Sequence, residues 1–178
     1  ENRMSFFIDT SHRKMEAEQM DDFSVQGDLL TETLDQLARI NRYLGGNQVT
    51  MSGLRKILKD HPADKPITIV DMGCGNGDLL RHIAEYGIKA GYDFRLIGLD
   101  ANAHTVAYAR KLSVKYKELS FRQLDVFSEE FKKLEYDLVL ATLFLHHFAE
   151  EDIVTLLQSV MKIATLGMVV NDLHRNAL

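Results

Sequence analysis

Val70-Asp71-Met72-Gly73-Cys74-Gly75-Asn76-Gly77-Asp78-Leu79-Leu80 joins an apolar run to an amphipathic one through alternate glycines. Residues 67–71 have the apolar, β-branched character of a buried strand, and the run ends on an acid, Asp71. Alternate glycines let a chain turn with positive φ and approach a ligand more closely than any Cβ permits. An acid just before them can hold a cationic or hydroxyl-bearing group. A tight strand-to-helix turn would also use such a loop, so its meaning depends on the residues downstream of it. In the dinucleotide fingerprint G-x-G-x-x-G the third glycine lets helix and strand pack closely. Here the glycines fall at 73, 75 and 77, and position 78 is Asp. Asp78 complements the positive end of a helix dipole and repels a phosphate placed there. The loop therefore suits a ligand without phosphates better than NAD or ATP.

Further apolar runs lie at 94–99, 121–124, 136–141 and 166–170, with helical patterns at 78–86, 102–116, 129–134 and 150–163 between them. Strands alternating with helices predict βαβ units and a parallel sheet with right-handed crossovers. In such sheets ligands bind at the carboxyl ends of the strands. Asp71, Asp100, Asp125 and the pair Asn171-Asp172 all stand at that edge. Each one alone reads as a helix cap or turn former. Four at one edge, with a glycine loop among them, point to a binding site.

With these residues in place the chain resembles the class I S-adenosylmethionine-dependent methyltransferases over roughly residues 65–172. The matching features are Asp71-x-Gly73-x-Gly75-x-Gly77, Asp100, Asp125-Val126, and Tyr136-Asp137-Leu138-Val139 leading into Leu145-His146-His147-Phe148. Leu143 to Phe148 and Asn171-Asp172-Leu173-His174-Arg175 look closest to the methylases of ubiquinone and menaquinone biosynthesis. The resemblance implies a Rossmann-like α/β fold, a mostly parallel sheet between helices, with S-adenosylmethionine as cofactor and S-adenosylhomocysteine as product. It implies that the loop Gly73-Cys74-Gly75-Asn76-Gly77 passes the methionine portion, with Asp71 and the Ala141 carbonyl near its ammonium group. By the same resemblance Asp100 would take both ribose hydroxyls, Ala101 and Asn102 would border the adenine, and Asp125 with the Val126 amide would read its edge.

A reactive sulfonium asks the protein mainly for in-line placement, which supplies about 7–11 kcal/mol through proximity and orientation. A general base is needed only for a poorly acidic hydroxyl or carbon acid. His146, His147 and His174 are the candidates, since histidine titrates near neutrality. Packing at the start of the helix after 150 is the alternative reading for His146 and His147, and simple exposure for His174. The Asn/Asp-Pro-Pro-Tyr signature of amino-methylating nucleic-acid enzymes is absent, because Ala141-Thr142-Leu143-Phe144 stands there. The single cysteine, Cys74, lies inside the glycine loop as a small packing residue and is no base-methylating nucleophile. Neither C-x-x-C nor H-E-x-x-H occurs, so no metal is expected.

The expected activity is methyl transfer to oxygen or carbon of a small, aromatic or quinol-like molecule. The rivals are a cofactor-binding fragment without turnover, an RNA or protein methylase, and a nicotinamide oxidoreductase, the last disfavoured by Asp78 and the glycine spacing. Length 178, net charge −5 and pI ≈ 5.8 fit one acidic domain and speak against a phosphate-tracking surface, so no nucleic-acid partner is expected. Lys111, Lys115 and Lys117 read as a solvated helix face. One cysteine and no apolar span of ~20 residues suit a cytoplasmic protein without a membrane segment.

Residues 1–62 read as a helical cover and 63–178 as the cofactor-binding core. Residues 15–35 are strongly acidic, and Leu30, Leu34, Leu37, Ile40 and Leu44 recur at helical spacing up to Gly45-Gly46. A second helix is expected over 51–59, stopped by His61-Pro62. The pair either covers a sheet face or forms a lid over the pocket, from which Arg42 could reach a cofactor carboxylate or simply sit at the surface. The chain starts at Glu1 and runs six residues past Asp172, whereas the resembling family's sheet adds two more strands. The expectation is a portion of a longer enzyme lacking strands six and seven.

Overall fold

The computed structural model describes residues 26–173; His174 and the acidic residues before Gln26 lie outside them. Two helices, α1 (Asp28–Tyr43) and α2 (Gly46–Leu58), precede β1 (Ile67–Met72). Then come α3 (Asp78–Ala90), β2 (Phe94–Asp100), α4 (Ala103–Leu112), β3 (Leu119–Gln123), β4 (Leu138–Thr142), α5 (Glu150–Ile163) and β5 (Gly167–Asn171). The strands form one parallel sheet in the order β3-β2-β1-β4-β5. The order reverses direction beside β1, where an α/β sheet opens a ligand crevice. Register sets Asp71 between Gly98 of β2 and Leu140 of β4, so the acids that close the strands share one edge. The fold is the expected Rossmann-like one: a parallel sheet between helices.

The strands' two-residue period divides the core. Ile67 and Ile69 join Leu96, Leu138 and Leu140 under α2, α3 and α4, supplied by Met51, Leu54, Leu58, Leu80 and Ile83. Val70 and Met72 face the opposite way, with Leu99, Val139, Phe131, Leu156 and Val160 under α5. Both faces are covered, which is why these strands are almost continuously apolar.

Several elements depart from the periodicity. The helix expected over 102–116 stops at Leu112 and gives way to a turn at Ser113. The pattern at 129–134 supports only a 3₁₀ turn, Phe131–Lys133. The second helix begins at Gly46, five residues before the apolar pattern does, after Gly45 turns with φ +83°. In α1 only Leu30 and Leu34 are buried, while Leu37, Ile40 and Leu44 of the same stripe are exposed. The physical reason is placement. α2 lies on the sheet, with Val169 packed against Gly53, whereas α1 rests across the glycine loop and α4 and meets apolar neighbours only along its first half.

Candidate functional site

The loop after β1 is built from Gly73, Gly75 and Gly77, all at positive φ (+68°, +51° and +76°). The Cys74 amide donates to the Leu99 carbonyl (2.9 Å) and the Gly77 amide to the Cys74 carbonyl (2.9 Å), which ties the loop to β2. Close approach at Gly73 is used by the protein itself: a Cβ there would overlap the Phe144 ring. At Gly75 the nearest neighbour is Leu34 of α1, at an ordinary 3.6 Å. Asn76 is buried, its Nδ2 donating to Asp35 (3.0 Å) and its Oδ1 accepting from the Asp78 amide (3.1 Å). Cys74 is a buried free thiol raised above its usual range by burial first and then by Asp100 and Asp71, which suits packing and no nucleophilic role.

Two carboxylates stand beside this loop. Asp71 is buried, and desolvation followed by the charge of Asp100 pushes it up to about 8. Asp100, half-buried at the end of β2, accepts from the Gly75 amide through Oδ2 (3.3 Å) and from the Asn102 amide through Oδ1 (2.9 Å). Burial raises it to about 6 against the pull of those two amides. A carboxylate held by two amides keeps further lone pairs for hydroxyl donors. A buried acid kept near neutrality takes full charge only when a cation or strong donor arrives.

The remaining expected cofactor residues line the same edge. The Asn102 side chain caps α4 by accepting from the Thr105 amide (3.0 Å), and its backbone amide faces Asp100. The Ala101 carbonyl accepts from Gln123 Nε2 (3.1 Å). Asp125 is exposed past β3 and uses Oδ1 to hold the Phe127 amide (2.9 Å), while Val126 is buried beneath it. Ala141 is buried in β4, paired with Met72.

Beyond β4 the chain turns through Leu143, the one non-glycine residue at positive φ (+51°) among those described. Such a leucine costs of order 1–3 kcal/mol and persists only where its surroundings over-determine it. Here the Leu143 amide donates to the Asn171 carbonyl (2.8 Å), and Asp172 Oδ2 accepts from the amides of Leu145 (2.7 Å) and His146 (3.2 Å). The turn lays Phe144 on Gly73 and brings His146 Nδ1 to 2.7 Å from Asp172 Oδ1. Burial works to raise Asp172, but the Leu173 amide and the His146 ring outweigh it and hold the carboxyl below its ordinary value. His146 and His147 occupy a separate 3₁₀ turn, Leu145–His147, their ring centres 4.2 Å apart. They are not at the start of α5, because Phe148 and Ala149 are extended and intervene.

Asp172 was legible as a strand-end acid and as part of the Asn171–Arg175 motif; its pairing with His146 depends on β5 lying beside β4. Asp78 holds a second surprise. It accepts from Arg42 of α1 (2.5 Å) and Asn47 of α2 (2.9 Å) and lies 3.7 Å from Arg81. Arg42 is therefore committed to Asp78. Asp35 of α1 accepts from Asn76 of the loop and from the Tyr108 hydroxyl of α4 (2.8 Å), and Thr31 meets His104 at 3.2 Å. Among the described residues no group of three or more His, Cys, Asp and Glu side chains could hold a metal, and no helix is long and apolar enough to cross a membrane.

A methyltransferase-domain family model matches residues 69–167, from β1 to the start of β5. The chain belongs to that methyltransferase-domain family. A protein of Invertebrate iridescent virus 6 named as a putative methyltransferase, 235L, is 31% identical over 74 residues, 42% of this chain and 25% of that protein. Among solved structures, the DszA carbon methyltransferase superposes with TM-score 0.64 at 18% identity, over 80% of this chain and 40% of that one. The plantazolicin methyltransferase BpumL, in complex with a pentazolic desmethylPZN analog and SAH, superposes with TM-score 0.59 at 23% identity, over 82% of this chain and 52% of that one. At these identities the structural likeness is one of fold. The chain spans a quarter of the viral relative's length and about half or less of these structures.

Proposed function

We propose that this chain binds S-adenosylmethionine and directs its methyl group to oxygen or carbon of a small aromatic or quinol-like acceptor. One observation carries the cofactor half: Asp100, fixed by the amides of Gly75 and Asn102, stands beside a glycine loop with the buried Asp71 behind it. Family membership and the SAH bound to BpumL support the same choice. The residues present fit the group. Asp100 suits two vicinal hydroxyls, Asp71 suits an ammonium group, and the phosphate-repelling Asp78 is satisfied by protein donors. When bound, the cofactor supplies an electrophilic methyl group.

The chain's own part is placement and proton management. Gly73 to Gly77, Asp71 and Ala141 would hold the methionine end, and Ala101, Asn102, Asp125 and Val126 the adenine end. Asp172, kept ionised, accepts from His146 Nδ1–H and so fixes the ring's tautomer and orientation, and His146 is the base this reading gives to the acceptor's proton. His147, at ring-contact distance from His146, lines the same turn. In this reading α1 is a lid over the pocket and residues 63–178 its base, with Leu34 closing over Gly75.

Calorimetric titration with S-adenosylhomocysteine, with NADH in a parallel cell, tests the reading. Micromolar binding of the first ligand alone is expected. Asp100→Ala should weaken it roughly tenfold to several hundredfold, since a charged hydrogen bond contributes about 1.5–3 kcal/mol and two hydroxyls are served. A folded protein that binds NADH, or that keeps full affinity without Asp100, would sink it.

A further inference from the structure

α1 turns Leu30 and Leu34 inward and carries a second apolar stripe on its outer side. Leu29 (71% exposed), Leu37, Ile40 (50%) and Leu44 (82%) lie along it, and Thr33 fills the one gap in the row. Steps of three and four residues keep all five on one line of the helix. The Thr33 hydroxyl donates to the Leu29 carbonyl (2.9 Å), so covering the stripe strands no polar group there. A contiguous exposed apolar surface of this kind marks an interaction site. The charges beside it say what it meets. Glu32, Gln36 and Arg39 form one flank of the stripe, all exposed, and neither Glu32 nor Arg39 makes an ion pair among the described residues.

The stripe reads alike from both ends. Leu29 and Leu44 are equally far from the Gln36–Leu37 peptide, and so are Thr33 and Ile40, while Glu32 and Arg39 lie on opposite sides of it with opposite charge. We infer that α1 pairs antiparallel with the α1 of a second copy of this chain, about a twofold axis at Gln36–Leu37. A twofold interface needs a surface that complements itself, and this one does. The axis sets Leu29 opposite the partner's Leu44 and Thr33 opposite the partner's Ile40. The same flanks then face each other, and Glu32 falls within two residues, about 3 Å along the axis, of the partner's Arg39. Each charge pair occurs twice. A parallel pairing would instead set Glu32 beside Glu32 and Arg39 beside Arg39. Two helices of 16 residues make a small interface, below about 1,200 Å² in total, so the dimer is one of micromolar strength.

Sedimentation equilibrium of the full chain over about 5–500 µM, in low salt, tests the pairing. A monomer–dimer equilibrium with Kd on the order of 10–100 µM is expected. Ile40→Asp, at a position already half exposed, should leave a folded monomer. Glu32→Arg and Arg39→Glu should each weaken the dimer about tenfold, because each sets like charges together. The double reversal should return to within about threefold of the parent, since the flank again complements itself. Melting midpoints within a few degrees of the parent confirm that the variants are folded. A monomer at every concentration overturns the proposal, as it would if another stretch of this chain or a different protein covers the stripe. A dimer that survives in folded Ile40→Asp, or a double reversal no tighter than the single ones, overturns it too.

Discussion

Asp71 shows how a residue's identity and its environment can oppose each other. Sequence places an acid before the glycines; structure buries it and raises it to about 8, chiefly by desolvation. Between its ordinary value of 3.8 and that figure, the folded chain holds a proton that the unfolded chain has released. Stability therefore falls as pH rises through this window, and Asp100, raised to about 6, adds to the fall in its lower part. Thermal melts from pH 5 to 8.5 should show the decline, and Asp71→Asn should flatten most of it. A variant with an undiminished slope would assign the titration elsewhere. At this scale the sequence conveyed residue types and little of their surroundings. The acids and glycines of the site were legible, because their chemistry is written in their side chains. Leu143's left-handed backbone and the His146–Asp172 pair were not, because both depend on β5 lying against β4.

Among the elements, α1 and α2 are attached to the sheet in different ways. Met51, Leu54 and Leu58 of α2 are fully buried, and Asn171 donates to the Gly46 carbonyl (2.9 Å) and Thr50 (3.1 Å). α1 buries only Leu30 and Leu34 and is otherwise fastened through Thr31, Asp35 and Arg42. Gly45, at φ +83° with nothing within 4 Å of its Cβ position, lies between the two helices as a joint. Helical periodicity revealed both helices but assigned α1 a longer stripe than the one it buries, since hydropathy cannot tell which neighbour a face will find. Amide exchange checks the asymmetry. Asp35→Ala, which loses two hydrogen bonds, should speed exchange in α1 about tenfold while leaving α2 unchanged. Arg42→Ala removes a pair whose arginine is 65% exposed, and should change it by less than severalfold.

For the molecule as a whole, the decisive information lay in the alternation of strand and helix, which fixes a parallel sheet and with it the edge where ligands bind. Loop and core meet at Gly98 in the middle of β2. A Cβ there would lie 2.5 Å from the Phe121 ring and 2.8 Å from Cys74 Sγ. Gly98→Ala should destabilise the protein by about 1–3 kcal/mol, since neither a buried ring nor the loop can retreat without unsettling the sheet. Urea titration measures this, and a midpoint equal to the parent's would mean that the core yields more easily than its packing indicates.

Asp35 bears on timing as well as on placement. One carboxylate clasps the loop through Asn76 and α4 through Tyr108, so α1 cannot lift without unfastening both sides of the cradle at once. Under the proposed reading, in which α1 is the lid over a cofactor that must leave spent before the next can enter, the residence time of the product would be set by a side chain that never touches the chemistry.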